Sequence, residues 1–284
     1  MDSKVTLEEY VKTFAALGYD GFMICDHNSY NGCRAWDEMK LDPHSFVNQH
    51  PEYQDFTVLR GMEYDTKDAG HVLVVLPDGV YPPVLHIRGM KLHRLILLVH
   101  KLGGVLGPAH PYGVATASMM GFRNKNLEWL RHIDFAEVFN TCELPDSNLL
   151  AHYLAEAFDL PGIAGSDSHV PDYLGMAWTE IDADIHSNND FIETIKNRVP
   201  ISAGGVEREL TKKGEYKENW FGRSAYLIYN RGIAKLRSPR RGIHHIRLKR
   251  KHHHTKPLLQ RRGKNKIEWR KPAVIKKEKR RRFK

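Results

Sequence analysis

A carboxylate and an imidazole, both good metal donors, stand on alternate residues in Gly165-Ser-Asp-Ser-His169. The segment ends a strand-like run. Residues two apart on an extended strand point to one side, so Asp167 and His169 are expected to face a common pocket. Other short apolar runs end the same way: Gly-Phe-Met-Ile-Cys-Asp26-His27, Leu59-Arg-Gly-Met-Glu63 and Gly103-Gly-Val-Leu-Gly-Pro-Ala-His110-Pro111. Gly70-His71-Val-Leu-Val-Val-Leu carries its histidine at the opposite end of a run. Mixed His, Asp and Glu donors without cysteine suit zinc, manganese or iron. A carboxylate such as Glu63 can bridge two cations, and cations about 3.5–4 Å apart can share a hydroxide that attacks phosphorus in line. Phosphate-ester hydrolysis is the chemistry this donor set favours. No Ser-His-Asp elbow, phosphate-binding loop or dinucleotide glycine fingerprint competes with it.

The elements that must position these residues alternate between helix and strand. Thr6-Leu-Glu-Glu9 is a capping box, and Leu7, Tyr10, Val11, Phe14 and Leu17 recur at helical spacing before Gly18, which can supply a left-handed end. A strand is expected over Asp20–Asp26, then a helix near Lys91–Leu102 leading into a strand over Gly104–Gly107. A strand over Asp134–Asn140, a helix near Ser147–Phe158, a strand over Gly162–Gly165 and a helix over Asn189–Arg198 follow. This alternation predicts an α/β fold of parallel βαβ units. In such folds functional residues gather where strands end, and His27, Glu63, His110, Asn140, Asp167 and His169 all stand at such ends.

Charge divides the chain. Residues 231–284 hold 23 Lys and Arg against two Glu, whereas residues 1–230 hold 20 against 32 acidic residues. Residues 1–236 read as the folded domain. Residues 237–284 carry too little apolar surface to fold alone and read as a basic, disordered tail. That tail either neutralises phosphates of RNA or DNA or is a solvated terminus. Three cysteines give no disulfide framework, and the start of the chain shows no signal pattern, so a cytoplasmic location is expected. No apolar run is long enough to span a bilayer.

Asp26-His27-Asn28, Gly61-Met-Glu63, Gly70-His71, Ala109-His110-Pro111, Glu137-Val-Phe-Asn140 and Gly165-Ser-Asp-Ser-His169, in this order, resemble the motifs of the polymerase and histidinol phosphatase (PHP) family. The resemblance covers the chain to about Leu236. It implies a distorted (β/α)7 TIM-like barrel that holds two or three divalent cations (Mn, Zn or Fe) at its strand ends and acts as a phosphoesterase. By the same resemblance His27, Glu63, His71, His110, Asp167 and His169 are metal ligands, with Glu63 the bridge, and Asn140 lines the site. Glu137 reads as a support for the sheet. The family opens with a strand ending in His-x-His, followed by Ser-Asp. Here Met1-Asp2-Ser3-Lys4 falls at the Ser-Asp position, so the first strand is expected to be missing, with Asp2 at an Asp ligand position. The cation held by Glu63, His71 and His110 would keep its donors, as would one held by His27 and His169. The expected substrate is a phosphorylated small molecule or oligonucleotide. The alternative is a catalytically impaired PHP-like domain acting as a basic-tailed nucleic-acid-binding or scaffold protein.

Overall fold

The computed structural model describes residues 5–113, 117–120 and 127–208. Asp2 and the basic stretch lie outside the described residues. Helix α1 (Leu7–Ala16) begins at the expected capping box. The Glu9 N–H donates to Thr6 Oγ1 at 3.2 Å, and the Thr6 N–H donates to Glu9 Oε2 at 2.7 Å. Val11 and Phe14 bury its apolar face. Gly18, at φ +82°, turns the chain out of the helix and into β1 (Gly21–Ile24). A helix not read from the sequence, α2 (Asn31–Leu41), follows with Cys33 and Trp36 buried, and then a short α3 (Phe46–Gln49).

Strand β1 pairs parallel with β2 (Thr57–Asp65), which pairs antiparallel with β3 (His71–Val75). Strand β3 pairs antiparallel with β4 (Val105–Pro108), which follows α4 (Leu92–Lys101). The expectation of parallel units throughout is therefore corrected here. The segment 66–70 between β2 and β3 is too short for a crossover, which takes a dozen or more residues, so the chain can only fold back. The reversal places His71, the first residue of β3, opposite Asp65, the last of β2, and beside the end of β4. All five residues of β3 are buried, which explains why its run is apolar without alternation.

Strand β5 (Ala136–Asn140) pairs parallel with β6 (Gly162–Gly165) across α5 (Pro145–Ala157). Strands β7 (Ala177–Ile181) and β8 (Ile201–Gly205), neither read from the sequence, pair antiparallel around α6 (Asn188–Lys196). The result is a mixed α/β fold in which, among the described residues, one four-stranded and two two-stranded sheets form but no sheet closes. Buried Asn188 ties α6 to the first sheet, donating to the carbonyls of Arg60 at 2.8 Å and Leu76 at 2.7 Å.

Sheets meet closely at Gly107, where an added Cβ would lie 2.1 Å from the Phe135 carbonyl oxygen ahead of β5. Gly107→Ala must therefore push β4 away from that backbone. Urea denaturation should show a loss of at least about 2 kcal/mol, the scale of an overpacked core. An unchanged midpoint would mean that the contact relaxes freely.

Candidate metal centre

Glu63 and Asp65 stand two apart on β2, so both side chains leave the same face of the sheet. His71 meets both carboxylates. Its Nδ1 is 2.7 Å from Glu63 Oε1, and its Nε2 is 3.1 Å from Asp65 Oδ1. His27 sits across from it, with Nε2 3.3 Å from Glu63 Oε2 and Nδ1 3.7 Å from Asp65 Oδ1. His110, just beyond β4, brings Nε2 to 3.1 Å from Glu63 Oε1. The rings of His27 and His71 lie 5.1 Å apart between centroids, and those of His71 and His110 5.3 Å. Four residues singled out in the sequence, from four separate stretches, thus converge at one mouth.

Local backbone structure holds them there. His27 forms a bridge to Glu63, flanked by an Asn28 N–H bond to the Glu63 carbonyl at 2.9 Å. Asn28 Oδ1 then accepts from the Asp65 N–H at 3.0 Å. The His110 N–H donates to Glu137 Oε2 at 2.6 Å, and the His110 ring contacts Ser118 Oγ at 3.3 Å. His110, Asn28 and Asp167 all adopt positive φ, at 29°, 48° and 46°. For His and Asp this is a sparsely populated conformation that only surrounding contacts sustain.

Asn140 is buried one residue-contact behind His110, through Glu137. Its amide donates to Glu137 Oε2 at 3.1 Å and its Oδ1 accepts from the Cys142 N–H at 2.8 Å, so both ends are engaged within the protein. The side chains of Asp167 and His169 approach each other, with His169 Nδ1 3.8 Å from Asp167 Oδ1. Strand β6 stops at Gly165, so a turn at Asp167 and not a continuing strand carries the two residues. His169 reaches the rim with its ring 6.5 Å from that of His27, and its Nδ1 lies 3.1 Å from the Asp167 carbonyl. Arg208 braces this turn, donating to the Asp167 carbonyl at 2.9 Å and to Ser166, while its guanidinium stacks on Tyr173 at 3.9 Å.

Sequence reasoning passed over Asp65 and Arg88 and read Glu137 only as a support. Arg88 Nη2 lies 2.5 Å from Asp65 Oδ2. The signal for Asp65 was present, since it stands two residues after Glu63 on a strand, the same spacing that drew attention to Asp167 and His169. Arg88 has no such signal, because its loop meets β2 only in the folded chain.

Burial opposes the charge on Glu63, but the charges of His27 and His71 and hydrogen bonds from His110 and His71 outweigh it and hold the carboxyl well below its usual range. Burial is likewise overcome at Asp65 by His27 and His71. Burial works against protonation of His71, yet Glu63 and Asp65 raise it to about 9. His110 is raised to about 9 by Glu63 and Glu137 against the same burial cost. Glu137 is pushed up to about 7 by burial. These acid and imidazole groups hold one another in place through protons.

A divalent cation fits the donor set. Ligand atoms of Glu63, His71 and His110 lie within 4.8 Å of one another, as do those of His27, Asp65 and His71. Nitrogen and carboxylate oxygen without thiolate suit manganese, zinc or iron.

Residues 145–200 match the family PHP_C, described as PHP-associated. No curated protein matches the chain in sequence. A proposed metal-dependent phosphoesterase from Bifidobacterium adolescentis has a similar structure at TM-score 0.50 and 16% identity, over 70% of this chain and 93% of that one. So does endonuclease Q, seen in complex with a 27-mer duplex bearing an abasic lesion at its active site, at TM-score 0.50 and 17% identity. That match covers 80% of this chain and 64% of the endonuclease, less than two thirds of its length. An amidohydrolase from Chromobacterium violaceum is similar at TM-score 0.50 and 13% identity, over 68% and 93% of the two chains. These likenesses carry the fold, and the family match falls on α5 through α6. Together they support a PHP-associated segment at residues 145–200 within a fold similar to these hydrolases.

Proposed function

We propose that the chain is a metal-dependent phosphoesterase that hydrolyses phosphomonoesters or short nucleic-acid phosphodiesters. One observation carries this reading: a buried carboxylate, Glu63, touches imidazoles from three separate stretches within 3.3 Å at the mouth where strands end. His27, Glu63, His71 and His110 would hold divalent cations, with Asp167 and His169 at the rim. A cation there supplies Lewis-acid activation of water and offsets negative charge on the phosphate. The protein's own part is to hold the donors rigid. Glu137 fixes the His110 backbone, and Asn140 fixes Glu137.

The reading extends to the domain as a whole. The three sheets read as arcs of one distorted barrel, since Gly107 abuts Phe135 and Thr179 of β7 bonds to Ala164 of β6 at 2.9 Å. Residues 1–236 then form the domain and 237–284 a basic tail. All three cysteines are unpaired, which supports a cytoplasmic location. No helix among the described residues is long and apolar enough to cross a membrane.

Manganese-loaded protein should hydrolyse a chromogenic phosphate ester. His110→Ala and Asp167→Ala should each lower turnover about 100-fold or more, since outer partners of a metal alone cost 10–100-fold. Unchanged turnover in both variants would remove the site assignment. The rival reading, an impaired domain that binds nucleic acid, rests on the 23 Lys and Arg of residues 231–284. Salt-dependent RNA or DNA binding lost on deleting residues 238–284, without turnover, would select it.

A further inference from the structure

Glu63 and Asp65 face the same two imidazoles from opposite sides. Glu63 takes one nitrogen of each ring, His27 Nε2 at 3.3 Å and His71 Nδ1 at 2.7 Å. Asp65 Oδ1 faces the other nitrogen of each ring, His71 Nε2 at 3.1 Å and His27 Nδ1 at 3.7 Å. The two contacts differ in kind. His71 Nδ1 and Glu63 Oε1 form a hydrogen bond, whereas Asp65 Oδ1 is buried and, among the described residues, meets the two ring nitrogens without a well-directed hydrogen bond. A buried carboxylate oxygen without a hydrogen bond is costly unless something else satisfies it.

We infer that Asp65 Oδ1, His27 Nδ1 and His71 Nε2 form a cation site of their own, in which Glu63 orients the two rings and Asp65 is the ligand. Metal-bound histidines commonly give their second nitrogen to a carboxylate, which sets the ring orientation. Glu63 stands in that relation to His71 and lies 3.3 Å from the second nitrogen of His27. Ligand atoms of these three residues lie within 4.8 Å of one another, the separation of ligands around one small ion.

Arg88 completes the arrangement. Its guanidinium holds Asp65 Oδ2 at 2.5 Å, which leaves Oδ1 as the oxygen turned toward the rings. The Arg88 loop is fastened to the end of β2. The Gly89 N–H donates to the Asp65 carbonyl at 2.8 Å, and the Lys67 N–H donates to the Met90 carbonyl at 3.0 Å. Tyr64 Oη donates to the Ile87 carbonyl at 2.5 Å and accepts from the Met90 N–H at 3.0 Å. Arg88 is thus a positioning residue for the Asp65 ligand, held rigidly by main-chain bonds on both sides of it.

This inference rests on the cation-binding part of the proposed function, not on hydrolysis, and manganese binding to the full chain tests it. Equilibrium dialysis with Mn2+ should show that Asp65→Asn loses one bound equivalent relative to the unaltered protein. Arg88→Met should keep that equivalent with affinity lower by about 10–100-fold, the usual effect of an outer partner. His110→Ala should retain the Asp65-bound ion. Asp65→Asn that binds manganese with the stoichiometry and affinity of the unaltered protein would overturn the inference while leaving the wider proposal standing. No manganese on the unaltered protein would overturn both. Anomalous diffraction from manganese-soaked crystals covers the case in which the variants fail to fold. A peak bonded to Asp65 supports the site, and peaks only beside Glu63 and His110 refute it.

Discussion

Glu63→Gln should abolish turnover, lose the cation shared with His110, and also weaken the metal-free fold. The substitution keeps the shape of the side chain and removes its charge. Three imidazoles now lean on that charge, His27 at 3.3 Å, His71 at 2.7 Å and His110 at 3.1 Å. A Gln amide offers one acceptor and turns a donor toward rings that are themselves donors when protonated. Removing one partner of a buried ionic cluster costs about 3–5 kcal/mol when the remaining charge cannot escape. Histidine can escape by shedding its proton, so the loss should depend on pH. We expect about 3 kcal/mol at pH 6, where His71 and His110 are charged, and clearly less at pH 9. Urea denaturation of the metal-free variant at the two pH values measures this directly. Equal losses at both would show that Glu63 acts by packing rather than charge, and undiminished manganese affinity would remove it from the site.

The second large effect is on pH itself. His71 and His110 are raised from 6.5 to about 9 in the folded protein. A raised imidazole stabilises the fold fully below its unfolded value and loses that contribution as pH climbs through its folded value. Metal-free protein should therefore lose stability between about pH 6.5 and 9. Glu63 and Asp65 act in the opposite sense. Their lowered values add stability that is present above the ordinary carboxylate range and lost on acidification. Manganese must displace the imidazole protons to bind. Its affinity should climb across the same window, by up to about tenfold per pH unit for each proton displaced. Calorimetry in buffers of different ionisation enthalpy counts those protons. A flat affinity from pH 6.5 to 9 would mean that the histidines are not where the ion sits.

The legible parts of this protein were local. The capping box at Thr6 and Glu9 formed as its spacing required, and the ends of β4, β5 and β6 fell within about two residues of expectation, the usual margin for element boundaries. Helix α2 went unread because its buried face is only Gly32, Cys33 and Trp36, with no side-chain cap to announce it. Strands β7 and β8 went unread because most of their residues are only half-buried or exposed, so their apolar signal is thin. The turn at Asp167 went unread for a different reason. Its positive φ ends the strand, and the Arg208 bonds that brace it come from 41 residues further along the chain.

The amino-acid order alone determined the donor chemistry, because whether a side chain offers an imidazole or a carboxylate does not depend on its neighbours. It also determined that these donors stand at the ends of apolar runs. Only the tertiary structure decided which of them meet. The reversal of β3 carries His71 to the mouth occupied by Glu63, and the loop after residue 86 delivers Arg88 to Asp65. Both outcomes depend on strand direction and register, which come from long-range packing, and a shift of one residue would turn every one of these side chains to the opposite face.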